Sequence, residues 1–364
     1  MVPSGVQEKP RYGEQIICLT LQDRQSKSIE DEGRIVVWEM SSKNNKDTKE
    51  CVKVLTCTKA VNRAIFASND ENFVYAALSS GQVAVWDIRL KSKPTLQSKP
   101  TLSSHNLPIY CIENVFDGRR DLLMTVSNEG KLSVWNPEAL ADPEMIETLT
   151  FKQDKNATSQ KAEKEYEDIP LAPIASCVYR GGGAKDAKIY LATLDKLVQG
   201  YSVNDILAKV EGKNATRLNG HDAPISCIAV NNSEQSPTFG SVLTGSFDFS
   251  ICLWKPNTSS EPVVTFEVHD DYITGLDWNP SHPAMFVSSD CNGTIALWNL
   301  LEDKDYPVYV TRTDPVSSVK WHPDGLKIIV ATLKGNVELW EIKKRFMKFN
   351  DDQKAEFETY FDRL

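Results

Sequence analysis

Five histidines and eight cysteines are the side chains in this chain best suited to binding a metal or moving a proton. His105, His221 and His269 each precede an apolar, strand-like run, whereas His282 and His322 sit against prolines. The cysteines (Cys18, Cys51, Cys57, Cys111, Cys177, Cys227, Cys252 and Cys291) form no C-x-x-C pair, and most lie in apolar runs such as Ser250-Ile251-Cys252-Leu253. That pattern predicts buried, reduced thiols of a cytosolic protein, not a metal or disulfide framework. The chain has no phosphate-binding Gly-x-x-x-x-Gly-Lys-Ser/Thr loop, no His-Glu-x-x-His and no Gly-x-Ser-x-Gly. Arg180-Gly181-Gly182-Gly183-Ala184 lacks the lysine of a phosphate cradle and reads as a hairpin turn. No catalytic residue, cofactor or metal is expected.

The histidines fall into place within a repeat. Gly33-Arg-Ile-Val-Val-Trp38 recurs as Gly81…Trp86, Gly130…Trp135, Phe249…Trp254, Gly293…Trp298 and Gly335…Trp340, with a weaker copy, Lys196…Tyr201. A WD-repeat unit runs about 40–45 residues, and the spacings here are that long or longer. The unit ending at Trp298 reads as four short strands, 262–268, 273–278, 285–289 and 294–300, separated by turn residues. A lone small sheet cannot bury both of its faces, but a ring of stacked sheets can. The fold class expected is therefore all-β: a seven-bladed WD-repeat β-propeller over 1–350, with blades ending at Trp38, Trp86, Trp135, Tyr201, Trp254, Trp298 and Trp340. A short C-terminal amphipathic helix follows over 351–364, its apolar face Phe357, Tyr360, Phe361 and Leu364, with Asn350 and Asp351 at its N-cap. It is expected to pack on the propeller, insertion into a partner being the alternative.

In such blades a histidine bonds a Ser or Thr that in turn accepts the tryptophan indole N–H, with an Asp orienting the histidine. His221, Thr244 or Ser246, Asp248 and Trp254 supply every part. The His269 unit has Asn292 where the Asp is expected. The first blade reads as incomplete. Lys9-Pro10-Arg11 interrupts any innermost strand before 15–21, which predicts a fragment or a short isoform. Arg345-Phe346-Met347-Lys348-Phe349 is the expected closing strand of the last blade. Residues 152–168, rich in Lys, Glu, Gln and Asn, read as a mobile loop. Residues 92–103, with their near-duplicated Ser-Lys-Pro-Thr-Leu, read as a proline-bearing linker or a regulated Ser/Thr site.

A net charge of −9 argues against a nucleic-acid partner, although Arg89, Lys91, Lys93 and Lys99 cluster locally. No run of about 18 apolar residues is present, so no membrane partner is expected.

Phe247-Asp248-Phe249-Ser250-Ile251-Cys252-Leu253-Trp254 resembles the Phe-Asp-Trp-x-Val-x-Leu-Trp run of dynein intermediate chains. Asp271-Tyr272 through Phe286, Ser79 through Arg89, and Ser104-His105-Asn106-Leu107-Pro108 with Thr125 through Lys131 are similar to further segments of that family. Flanking detail leans to the cytoplasmic form; Phe249 for Trp and the region 152–205 depart from it. The resemblance implies a non-catalytic scaffold subunit of the cytoplasmic dynein microtubule motor, cytoplasmic and microtubule-associated. Its propeller would bind the dynein heavy chain tail and link cargo adaptors, and it would be dimeric within the motor complex. Dynein light chains and dynactin would bind through an N-terminal region absent here. A dynein-2 or axonemal intermediate chain, or an unrelated WD-repeat adaptor, are the alternatives. The expected partner-binding rim comprises Asn106, Leu107, Phe247, Phe249, Asp270, Asp271, Tyr272 and Asp314.

Overall fold

The strands are short because each alternates apolar residues toward two neighbouring sheets and then meets a turn. In the computed structural model, which describes residues 6–8, 15–20, 33–41, 48–70, 72–101, 104–154, 166–181, 186–210, 215–234 and 236–363, these strands form antiparallel sheets in chain order. The result is an all-β WD-repeat β-propeller with a short C-terminal helix. Each sheet's first strand neighbours the first strand of the next, and Val6–Glu8 of the first sheet touches Val316–Trp321 of the last, which closes the ring. Middle strands are covered on both faces: Val242–Ser246, Ile251–Trp254 and Thr294–Asn299 are buried at every position. First strands such as Ile225–Val230 mix buried and half-buried positions.

After the first sheet, every inner strand carries a register shift near its start, at Asn62, Tyr110, Ile174, Ser226, Thr274 and Ser317. A bulge leaves one residue out of the ladder, and polar side chains use that freedom. Asn62 donates to the Ile109 carbonyl of the next sheet at 3.0 Å, and Ser226 donates to the Ile273 carbonyl of its own neighbour. Nearer the channel, the Arg63 guanidinium reaches Glu113 at 2.9 Å, and Ser176 donates to the same carboxylate at 2.8 Å, tying three consecutive sheets together.

Five expectations need correction. The expected blade count of seven is not met: among the described residues six four-stranded blades are present, and the unit ending in Trp340 forms a sheet of three strands, Val316–Trp321, Lys327–Thr332 and Val337–Glu341. The first blade, expected to be short of a strand, has four, all before residue 60. Its innermost strand is only three residues, Val6↔Cys18 to Glu8↔Ile16, and fits just ahead of the Lys9-Pro10 break. Residues 345–349 form no closing strand, because the Phe346 and Met347 amides bond the Lys343 and Lys344 carbonyls and curl the chain into a turn. The expected loop at 152–168 begins and ends as a hairpin, Thr150–Asp154 paired with Tyr166–Pro170; Phe151, 7% exposed, anchors it in the core, and 155–165 lie outside the described residues. Residues 92–101 are an outer edge and not a linker. Thr95 Oγ1 and Ser98 Oγ accept the Asp87 and Val83 amides, and the Ser92 carbonyl accepts the Trp86 indole at 3.1 Å.

The C-terminal helix spans Asp351–Arg363. Gln353 Oε1 accepts the Asn350 amide at 2.9 Å, which caps the first turn from within. Phe357 and Phe361, each 3% exposed, pack with Trp278, Phe286 and Trp298, so the helix lies back on the propeller as expected. Leu364 is outside the described residues.

Candidate interaction rim

A buried tryptophan must place its indole N–H, and three blades solve this in one way. In the first, Trp254 donates to Thr244 Oγ1 at 2.7 Å, the same oxygen meets His221 Nε2 at 2.7 Å, and Asp248 Oδ2 lies 3.0 Å from His221 Nδ1. Ser246, the alternative to Thr244, is not in this chain; it donates to the Pro224 carbonyl at 2.8 Å. Ser250 joins instead, 2.6 Å from Asp248 Oδ1 and 3.2 Å from His221 Nδ1. Burial alone would raise the Asp248 pKa, but hydrogen bonds from Ser250 and the Asp222 amide hold its carboxyl below the usual range. Burial pushes the His221 pKa down against the pull of Asp248, so the ring is neutral near pH 7 and Nδ1–H donates to the carboxylate.

The second blade repeats the chain with Trp298, Ser288 and His269, at 2.8 Å for each link. The acid is Asp290, 3.0 Å from His269 Nδ1 and fully buried, and not residue 292. The strand Met285–Asp290 runs one residue further than the expected 285–289, so the acid comes from the strand end. The third blade joins Trp135, Thr125 and His105 at 2.8 and 2.7 Å. Glu129 takes the position of the acid but turns outward to the Asn106 amide, and His105 Nδ1 stays buried without a partner. Burial pushes His105 down to about 4. Where Tyr201 replaces Trp, its hydroxyl donates to Gln199 Oε1. Of the remaining histidines, His282 Nδ1 accepts the Ala284 amide at 3.3 Å, and His322 Nδ1 lies 3.0 Å from Asp324 Oδ2. These bonds orient buried rings and shape turns.

Free thiols are found at Cys57, Cys111, Cys177, Cys227, Cys252 and Cys291; the side chains of Cys18 and Cys51 lie outside the description. Burial raises Cys111 and Cys227 to about 12 and Cys252 to about 11, far from the thiolate form that reacts or binds metal. Among the described residues, no cluster of three or more His, Cys, Asp or Glu could hold a metal ion. No described helix is long and apolar enough to cross a membrane.

The same networks place the expected rim. His221 and Asp248 join the loop before an inner strand to the turn between the two middle strands, so both loops share one edge of the ring. On that edge Phe247 is 42% exposed and Phe249 44%, and the Phe247 ring lies 5.0 Å from Tyr272. Asp270 pairs with Arg312 at 3.0 Å and Asp314 with Lys334 at 2.7 Å. Leu107 is exposed, beside Asn106. After the first sheet, each middle turn has a left-handed residue at one position, among them Gly81 at φ +77°, Gly293 at +91° and Phe249 at +69°. At Gly81 a Cβ would come within 2.4 Å of the His105 carbonyl, so side chains are excluded there. Phe249 holds this conformation with a bulky aromatic ring, at a cost of about 1–2 kcal/mol. The motif pattern flagged Phe249 as a departure; the backbone angle shows it to be a strained one.

The family model for the WD domain, G-beta repeat, matches residues 212–255, 260–299 and 306–341. The chain is 28% identical over 340 residues to the cytoplasmic dynein 1 intermediate chain of Drosophila melanogaster, which covers 92% of this chain and 47% of that relative. The chain thus spans about half the length of the curated relative it matches. The resemblance read from the motifs holds.

Proposed function

We propose that this WD-repeat protein, similar along nearly its whole length to a cytoplasmic dynein intermediate chain, is a scaffold subunit of that motor and holds the heavy-chain tail on the rim just described. The observation that carries the rim assignment is Phe249: a strained aromatic left exposed in the same turn as Phe247, whose ring meets Tyr272. Strain and exposure together oppose folding, and a partner that buries the ring offsets both. Asn106, Leu107, Asp270, Asp271 and Asp314 form the polar surround, in which the two ion pairs with Arg312 and Lys334 can re-pair on contact. Light chains, dynactin and cargo adaptors, and assembly as a dimer, belong to the larger complex this reading implies. So do a cytoplasmic location and association with microtubules.

The test is co-purification of the heavy-chain tail with full-length protein carrying Phe247→Ala and Phe249→Ala. Each aromatic anchor is worth about 2 kcal/mol, so binding should fall roughly 30-fold per anchor. Undiminished binding by the double variant, or by Asp270→Lys with Asp271→Lys, moves the tail to another surface.

A further inference from the structure

Among the described residues, the sheet of Val316–Trp321, Lys327–Thr332 and Val337–Glu341 stops one strand short, and its edge is chemically open. The Ile342 amide bonds the Leu326 carbonyl and the Thr332 amide bonds the Asn336 carbonyl. Ladder bonds in an antiparallel pair fall on alternate residues, so 336, 338, 340 and 342 face the neighbouring strand. Val337, Leu339 and Glu341 therefore point their N–H and C=O groups away from the sheet, with no partner among the described residues. Side chains on this strand are also under-covered. In the Ile251–Trp254 and Thr294–Asn299 strands every residue is buried, whereas Val337 to Trp340 are each only half-buried and Glu341 is exposed. Val337 and Leu339 pack toward Trp38 of the first blade, and Trp340 toward the preceding one.

We propose that this edge is a docking site for an extended segment of another polypeptide, which adds antiparallel to Val337–Glu341 as the sheet's fourth strand. Main-chain bonds would supply affinity, as in other strand-addition complexes. The site is small: the outer strands of other blades, such as Val264–Phe266 and Tyr309–Arg312, are only three and four residues. Charge sets the partner's character. An antiparallel strand begins beside Glu341, where the exposed Lys343, Lys344 and Arg345 follow. Acidic residues just before a short β-branched or apolar run would complement them. A second copy of this chain fits less well. Self-pairing centred on Leu339 sets Lys344 opposite Lys334 of the copy, and like charges placed opposite each other destabilise a pair. The edge lies on the strand outermost from the channel, so this inference does not depend on the aromatic rim.

Hydrogen exchange on the full chain tests the site, with a synthetic peptide, Asp-Asp-Val-Thr-Val-Thr, as the probe. At saturation the amides of Val337, Leu339 and Glu341 should exchange about tenfold more slowly. Leu339→Pro removes one outward N–H and spares the inner ladder, because a proline is tolerated at a free edge. That variant should bind about five- to tenfold more weakly. A peptide N-methylated at alternate strand amides asks the same question of unaltered protein and should lose binding as well. Replacing the two Asp of the probe with Lys should weaken it further. Unchanged exchange at saturating peptide overturns the proposal, as does equal binding of the methylated peptide. Protection of this edge without peptide, together with a dimer in sedimentation, overturns it in favour of a second copy.

Discussion

The blades ending in Trp254 and Trp298 and the sheet ending in Trp340 share one sequence pattern and differ in what lies outside it. In the two blades an outer strand, Val264–Phe266 or Tyr309–Arg312, completes the sheet, the tryptophan is fully buried, and its indole bonds a Thr or Ser held by a histidine. In the last sheet no outer strand is present among the described residues, Trp340 is half-buried, and its indole turns to Glu338 on its own strand at 2.9 Å. A Trp at the end of a strand is thus a potential core residue. It becomes one when a fourth strand closes over it, as at Trp86, whose indole bonds the Ser92 carbonyl instead of a histidine-held hydroxyl.

The largest expected effect tests that contrast directly. Trp298→Ala should cost about 3–5 kcal/mol in urea unfolding, since Trp298 stacks on Phe286 with centroids 5.3 Å apart in a closed core. Trp340→Ala should cost under about 2 kcal/mol, because the residue is already partly in water. Equal costs would show that the missing strand makes no energetic difference. Next, His269→Ala leaves the fully buried Asp290 without its partner and should destabilise by about 2–3 kcal/mol. His105→Ala, in the blade that has no such acid, should lose only about 1 kcal/mol.

The His105 site also responds to acid. His105 is depressed by burial from 6.5 to about 4, so the folded state resists a proton that the unfolded chain accepts. Its neutral form contributes in full above about 6.5, and that contribution is lost as pH falls toward 4. At about 1.4 kcal/mol per pH unit below 6.5, the wild type should lose roughly 2 kcal/mol more than His105→Gln between pH 7 and 5. Parallel pH profiles for the two proteins would remove His105 from the account. The smallest expected effect is a gain: Phe249→Gly relieves the left-handed strain and should raise stability by about 0.5–1 kcal/mol. A loss instead would mean that the ring is held by contacts stronger than its strain.

Much of this was legible in the chain itself. The Trp spacing announced the propeller, His221, Asp248 and Trp254 could be assembled from position with Thr244 or Ser246 as the link, and the terminal helix followed from a three-and-four periodicity. What failed did so for a common reason. Asp290, Ser250 and the Val6–Glu8 strand were missed because each acts through a partner far along the chain, and one residue's shift in a strand end decides which side chain arrives. The segment 92–101 read as a linker because its Ser and Thr side chains replace apolar ones in holding the edge.

The sequence by itself determined the repeating unit, the absence of a recognisable catalytic motif and the likeness to dynein intermediate chains, because alternation and spacing are local properties of a strand. Only the tertiary structure decided which unit is incomplete, that Phe249 is both strained and exposed, and that His105 lacks its acid. Those are statements about what stands across from a group in space: an outer strand, a neighbouring loop carbonyl, a carboxylate. Periodicity says which face a residue presents, but not whether anything comes to cover it.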